Sequence, residues 1–213
     1  MRSASVVGLL AAALGLGGLA GCGAAQPAHP PVPMRILAVL PFTLAPDDAP
    51  GGGPRTPPAS EAGTAVTAQV YRVLAEQTDF RVIPDLAVVD IMTTPAVRDA
   101  GDVVARAGAL GREVGADGVI FGRVFRFQRR IGTALGVTQP ASVSFEMGLV
   151  SVADGEVIFR GRFDETQEAL ATNFFDWWIF WSAGPRWLSA GELAGLGVER
   201  LYPAMVAPVR IDD

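Results

Sequence analysis

The sequence contains no lysine; all 17 of its basic residues are arginine. It has one histidine, His29, one cysteine, Cys22, and two tyrosines. Each absence excludes a chemistry. Without lysine there is no Schiff-base residue and no P-loop cation, and the triple glycine at 51–53 reads as a flexible stretch. A lone cysteine cannot close a disulfide within the chain, so folding rests on packing alone. His29 sits among prolines with no partner acid, so it supplies neither a positioned general base nor part of a zinc site. No cofactor is expected, and no metal site beyond a carboxylate calcium site. The formal net charge is −5, with the arginines scattered, which offers no electrostatic footprint for nucleic acid. After residue 22 no apolar run reaches the roughly 20 residues that a membrane-spanning helix needs.

What is present begins with a targeting pattern. Arg2 is followed by an uncharged run, VVGLLAAALGLGGLAG, too glycine-rich and short for a comfortable span but suited to a secretory signal. That run ends in Leu19, Ala20, Gly21 and Cys22, which resemble the bacterial lipobox. The resemblance implies cleavage before Cys22, a diacylglycerol on its thiol and an acyl chain on its amine. Several chains on one residue anchor a protein stably where a single chain does not. Gly23, in place of aspartate, resembles the class of lipoproteins passed to the outer membrane. Residues 1–21 are thus a signal peptide, and residues 22–34 a lipidated cysteine with a proline-rich tether. In polyproline II form that tether would extend about 35 Å.

Beyond it the periodicity changes repeatedly. ILAVLPF (36–42) reads as a buried strand. Val66, Val70, Val73 and Leu74 share one helical stripe, predicting a helix over 62–77. FRVI (80–83) is a short strand, and Pro84 opens a helix through Leu86 and Val89. A further helix carries Val103, Ala107, Leu110 and Val114 and closes at Gly115. DGVIFGRVFRF (117–127) is a strong strand. VSFEMGLVSV and EVIFRGRFD alternate around Asp154-Gly155 and form a hairpin whose one face carries charge. Ser189 and Glu192 form a capping box for a last helix, with Leu188 and Leu193 as its staple and Pro203 as its stop. The expected fold is an α/β (α+β) sandwich. Its mixed sheet has about five strands, helices lie mainly on one side, and a C-terminal helical extension follows.

The phrases ILAVLPF, LGREVGADGVIFGRV and VSFEMGLVSVADGEVIFRGRFDE resemble a family of envelope lipoproteins. That family includes the LpoB activators of penicillin-binding proteins, the curli-secretion lipoprotein CsgG and related neisserial lipoproteins. The resemblance spans about residues 35–168 and implies an anticodon-binding or TolB N-terminal-like domain. Gly115, Ala116 and Asp117 match its helix-to-strand turn, and Asp154, Gly155 and Glu156 its hairpin turn. It also implies a non-enzymatic role in the cell envelope, with a cell-wall synthase or an assembly machine as protein partner. Residues 128–140 are far too short to build the paired membrane strands of a secretion channel, about 9–11 residues each. Residues 169–213 have no counterpart in the family.

Three residue groups are candidates for function. Phe174, Phe175, Trp177, Trp178, Phe180, Trp181 and Trp187 share one aromatic segment, and its residues 174–181, Ile179 included, surround a helix axis in every direction, so one face cannot hide them all. They form either a core latch or an amphiphilic ledge against lipid or a partner. Arg123, Arg126, Arg129 and Arg130 form a basic run suited to an acidic partner or to a charged strand edge. Asp164, Glu165 and Glu168 could form the carboxylate pair of a cell-wall hydrolase, or simply end a strand. The weight of the sequence lies with a lipid-anchored binding or assembly factor, for which a second copy of the chain is also a compatible partner.

Overall fold

The computed structural model describes residues 31–45, 55–56, 59–77, 80–133, 136–167 and 186–211. The signal segment, Cys22, most of the tether, the triple glycine and residues 174–181 lie outside these.

Five strands make the main sheet, in the order β10 (Val157–Thr166), β9 (Ser142–Ser151), β6 (Gly118–Gln128), β2 (Ile36–Val39) and β5 (Arg81–Val82). β3 (Thr43–Leu44) and β4 (Arg55–Thr56) pair with the far end of β6. β6, β9 and β10 run antiparallel to their neighbours in this trio, while β2 lies parallel to both β5 and β6. The sheet is therefore mixed. Parallel β2 and β5 need a crossover, which α1 (Ala59–Gln77) supplies between them. The short pair β7 (Ile131–Gly132) and β8 (Val137–Gln139) stands apart.

Helices cover both faces, where the sequence reading put them mainly on one. On the front, α1 buries Ala62, Val66, Val70, Val73 and Leu74 beside α5 (Ala190–Val206), which buries Leu193, Ala194 and Val198. Both rest on Val124, Phe145, Met147, Leu149 and Phe163 of the sheet. On the back, α2 (Asp85–Met92), α3 (Pro95–Arg98) and α4 (Val103–Val114) bury Val88, Val97, Ala107 and Leu110 against Ala38, Val119, Phe121 and Val150. The reason is visible in β6, where Val119 and Phe121 alternate with Ile120 across the sheet. Both sets are apolar, so both faces of the parallel half need cover.

Local signals explain most of the boundaries. The Asp102 side chain accepts a hydrogen bond from the Ala105 N–H at the start of α4, and Gly115 ends it with φ 67°. Ser189 and Glu192 form the reciprocal capping box of α5. Pro203 does not stop that helix, which continues to Val206. A proline removes only its own N–H from the ladder, and its carbonyl still accepts from the Ala207 N–H at 3.1 Å. α5 is integral to the front layer rather than appended to it. β11 (Val209–Arg210) then pairs with β1 (Val32–Pro33), so packing begins just ahead of residue 35, and Met34 is fully buried.

Asp117 secures the sheet's centre. Its carboxylate accepts the backbone N–H groups of Arg35 and Ile36, both at 2.8 Å. Its own N–H donates to the Ile36 carbonyl, and its carbonyl accepts from Val152. One side chain thereby locks the start of β2 to the turn between α4 and β6.

Candidate functional site

α4 covers only the near half of the back face. Beyond Phe121 and Val150 no described helix crosses it, and the strand surface there is covered by charged side chains. A bulge in β6 between Val124 and Arg126 sets the pattern. In a regular strand Arg123 and Arg126 would point to opposite faces. With Phe125 as the extra residue, Arg123 pairs opposite Glu146 and Arg126 opposite Ser144, so both arginines stand on the back. Arg160 and Arg162 of β10 join them, opposite Gly148 and Glu146. Four guanidiniums and two carboxylates, Glu146 and Asp164, therefore share one open face of an acidic protein.

The groups on this face support one another. Arg126 is the most sheltered of these four arginines, its side chain 20% exposed, and it donates to Ser142 Oγ at 2.6 Å and to Asp164 Oδ1. Arg162 donates to Asp164 Oδ2 at 3.2 Å, and Arg160 to Glu146 Oε1 at 2.9 Å. Arg160 and Arg162 also lie over the rings of Phe121 and Phe125, at 5.8 and 4.4 Å from the centroids. Gly148 makes room for that first ring, since a Cβ there would come within 2.5 Å of Phe121 Cζ. Arg123 is exposed and makes no ion pair among the described residues. The result is a flat, pre-ordered array of planar cations, suited to carboxylates or phosphates.

Two expectations change here. β6 is a central strand, so Arg123 and Arg126 do not guard a sheet edge. Arg129 and Arg130 separate from them: Arg129 reaches Glu61 of α1 at 3.0 Å, and Arg130 donates to the Trp187 carbonyl.

Asp164 and Glu165 do not converge. As strand neighbours they face opposite sides, Asp164 with Arg126 and Arg162 on the back, Glu165 with Arg200 of α5 on the front at 3.1 Å. Glu168 lies outside the described residues. Burial pushes the Asp164 carboxyl up, but the hydrogen bonds and charge of Arg126, helped by Ser144 and Arg162, leave it below the usual carboxylate range. A general acid for glycoside cleavage needs the opposite shift. Among the described residues no three Asp, Glu, His or Cys side chains converge to hold a metal.

Of the aromatic group only Trp187 is described, and it is half-buried. Phe174, Phe175, Trp177, Trp178, Phe180 and Trp181 lie outside the described residues. The two ends of their segment are nevertheless tied together. Buried Gln167 donates its amide to the Arg186 carbonyl at 3.0 Å and accepts from the Leu188 N–H at 2.7 Å. Beside this junction a cleft of about 340 Å³ opens between Glu61, Phe127, Arg129, Arg130 and Ser189. The Gln167 tie is a contact that no periodicity announces.

No protein-family model matches the sequence, and a comparison with curated proteins finds no match. Solved structures similar to this chain include the LpoB C-terminal domain from Salmonella enterica. It is 18% identical, with 66% of this chain and 87% of that one covered at a TM-score of 0.41. The lipoprotein GNA1162 from Neisseria meningitidis is 18% identical, covering 70% and 94% at a TM-score of 0.46. The PelC dodecamer from Paraburkholderia phytofirmans is 13% identical, covering 87% and 96% at a TM-score of 0.46.

Proposed function

We propose that this chain is a non-catalytic, lipid-anchored factor of the cell envelope that holds an acidic partner protein on its open back face. The lipobox-like Leu19-Ala20-Gly21-Cys22 and the proline-rich stretch behind it support a tethered domain facing the periplasm, most simply from the outer membrane. The family resemblance of the three sequence phrases supports the same compartment and a regulatory or assembly role. The observation that carries the binding role is the array of Arg123, Arg126, Arg160 and Arg162 on strands no described helix covers. Planar guanidiniums already stacked on phenylalanine rings lose little freedom when carboxylates dock on them.

The test is crosslinking of C-terminally tagged, full-length protein in its native cell, followed by identification of what is recovered. Recovery of one stoichiometric envelope protein is expected, and it should be lost in the Arg123→Glu/Arg160→Glu double variant while the thermal midpoint stays near wild type. Cys22→Ala should move the protein out of the membrane fraction. Equal recovery by wild type and double variant would sink the basic face as the contact. Recovery of the chain alone would favour self-assembly.

A further inference from the structure

The second helix was legible from Leu86 and Val89, yet neither enters the core. Val88 does, at 1% exposure, while Leu86 is 76% and Val89 53% exposed. They stand three residues apart on one helix face, and Val89 lines a cleft of about 230 Å³. Thr64, Thr67, Ala68 and Tyr71 of α1, with Pro41 after β2, form one side, and Asp85, Val88 and Val89 its α2 side. None of these residues belongs to the basic face.

Two polar groups in the cleft have unused capacity. The Tyr71 hydroxyl is buried and has no hydrogen-bond partner among the described residues. Such groups are rare in folded proteins because leaving one unmade is costly. Asp85 is exposed and accepts only the N–H of Leu86 at 2.9 Å; neither it nor Asp90 on the same helix makes an ion pair among the described residues. Burial, with the charge of Asp85 adding to it, pushes the Tyr71 phenol up to about 12. It therefore stays protonated, able to donate one hydrogen bond and accept others.

We propose that the cleft between α1 and α2 is a docking site for a partner-protein segment that inserts an arginine or lysine side chain flanked by apolar residues. The methylene stem would lie along Pro41, Ala68 and Val88, as such stems do on apolar walls. The cation would meet Asp85 and the Tyr71 hydroxyl oxygen. Leu86 and Val89 would take the flanking apolar side chains. Charge complementarity selects this occupant over an acidic or purely apolar one: the Asp85 carboxylate makes no ion pair among the described residues, and none of the residues lining the cleft is basic.

The probe is acetyl-leucyl-arginyl-leucine amide, titrated into full-length protein in micelles and followed by methyl NMR at Val88 and Val89. Saturable shifts are expected, with affinity at least about tenfold above that of the same peptide carrying glutamine or glutamate in the middle. Asp85→Asn should erase that preference. Tyr71→Phe should weaken binding while leaving the thermal midpoint unchanged or raised, since a hydroxyl without a partner contributes nothing to the fold. Equal binding of all three peptides, no saturable shift, or an unaltered preference in Asp85→Asn would overturn the proposal. So would concentration-dependent self-association that Asp85→Asn abolishes, because a second copy would then be the occupant.

Discussion

Gly197 of α5 faces two phenylalanine rings. A Cβ built there would lie 2.6 Å from Phe163 Cδ1, 2.7 Å from its Cγ and 2.9 Å from Phe145 Cε1. Carbon atoms prefer about 3.5–4.0 Å, so helix or rings must give way by about 1 Å. The rings have nowhere to go. Phe163 is 2% exposed and Phe145 fully buried, their centroids are 5.5 Å apart, and Phe42 meets Phe145 edge-on at 6.2 Å. Overpacking of this kind costs about 1–3 kcal/mol. Against it stands the helical preference of alanine over glycine, about 1 kcal/mol. Gly197→Ala should therefore lose about 1 kcal/mol net. Gly191, in the first turn of the same helix, has nothing within 4 Å of a built Cβ. Gly191→Ala should gain up to about 1 kcal/mol from the reduced freedom of the unfolded chain. At about 2–4 °C per kcal/mol for a chain of this size, the two alanine variants should melt about 4–8 °C apart. Circular-dichroism melting of the full chain in detergent measures that gap directly. A Gly197→Ala variant that melts at or above Gly191→Ala would show that α5 does not sit on the rings as described.

Other outcomes follow from single contacts. Asp117→Ala leaves the Arg35 and Ile36 N–H groups without their acceptor and should cost about 1–3 kcal/mol in urea unfolding, with Asp117→Asn losing less. For Glu192, burial pushes the carboxyl up but hydrogen bonds from Ser189 and Arg186 leave it below its ordinary 4.5. A lowered folded value means stability that is present above 4.5 and lost as pH falls through the folded value. Glu192→Gln should thus melt below wild type at pH 7, and the gap should close in more acidic buffer. The raised Tyr71 value works in the opposite direction: the fold opposes ionisation of the phenol, so stability is level below pH 10 and falls as pH climbs towards 12. Tyr71→Phe should accordingly remove a tyrosinate absorbance step near pH 12.

The order of the principal strands and helices is legible in the sequence, because each carries its own period and its own punctuation, whereas α3 and the two- and three-residue strands are too short to show one. Gly115 after α4, the Ser189–Glu192 box and Asp154-Gly155 in the hairpin act on backbone only a few residues away, so they are readable without a fold. The alternation in β10 likewise announced a charged face. Tertiary structure decided what those faces meet. Whether β6 lies at the edge or centre depends on which strands pair with it, and its apolar residues on both sides were compatible with either. The bulge at Phe125, which turns Arg123 and Arg126 to the same face, depends on the register against β9 and has no local signature. Asp117 holding β2 and Gln167 tying the ends of the aromatic segment are contacts between residues far apart in sequence, and the buried Tyr71 hydroxyl, with no hydrogen-bond partner among the described residues, is a product of packing across layers. Local periodicity encodes which side of an element is apolar; only the assembled sheet and its two helical layers decide which polar groups find partners and which are left open to bind something else.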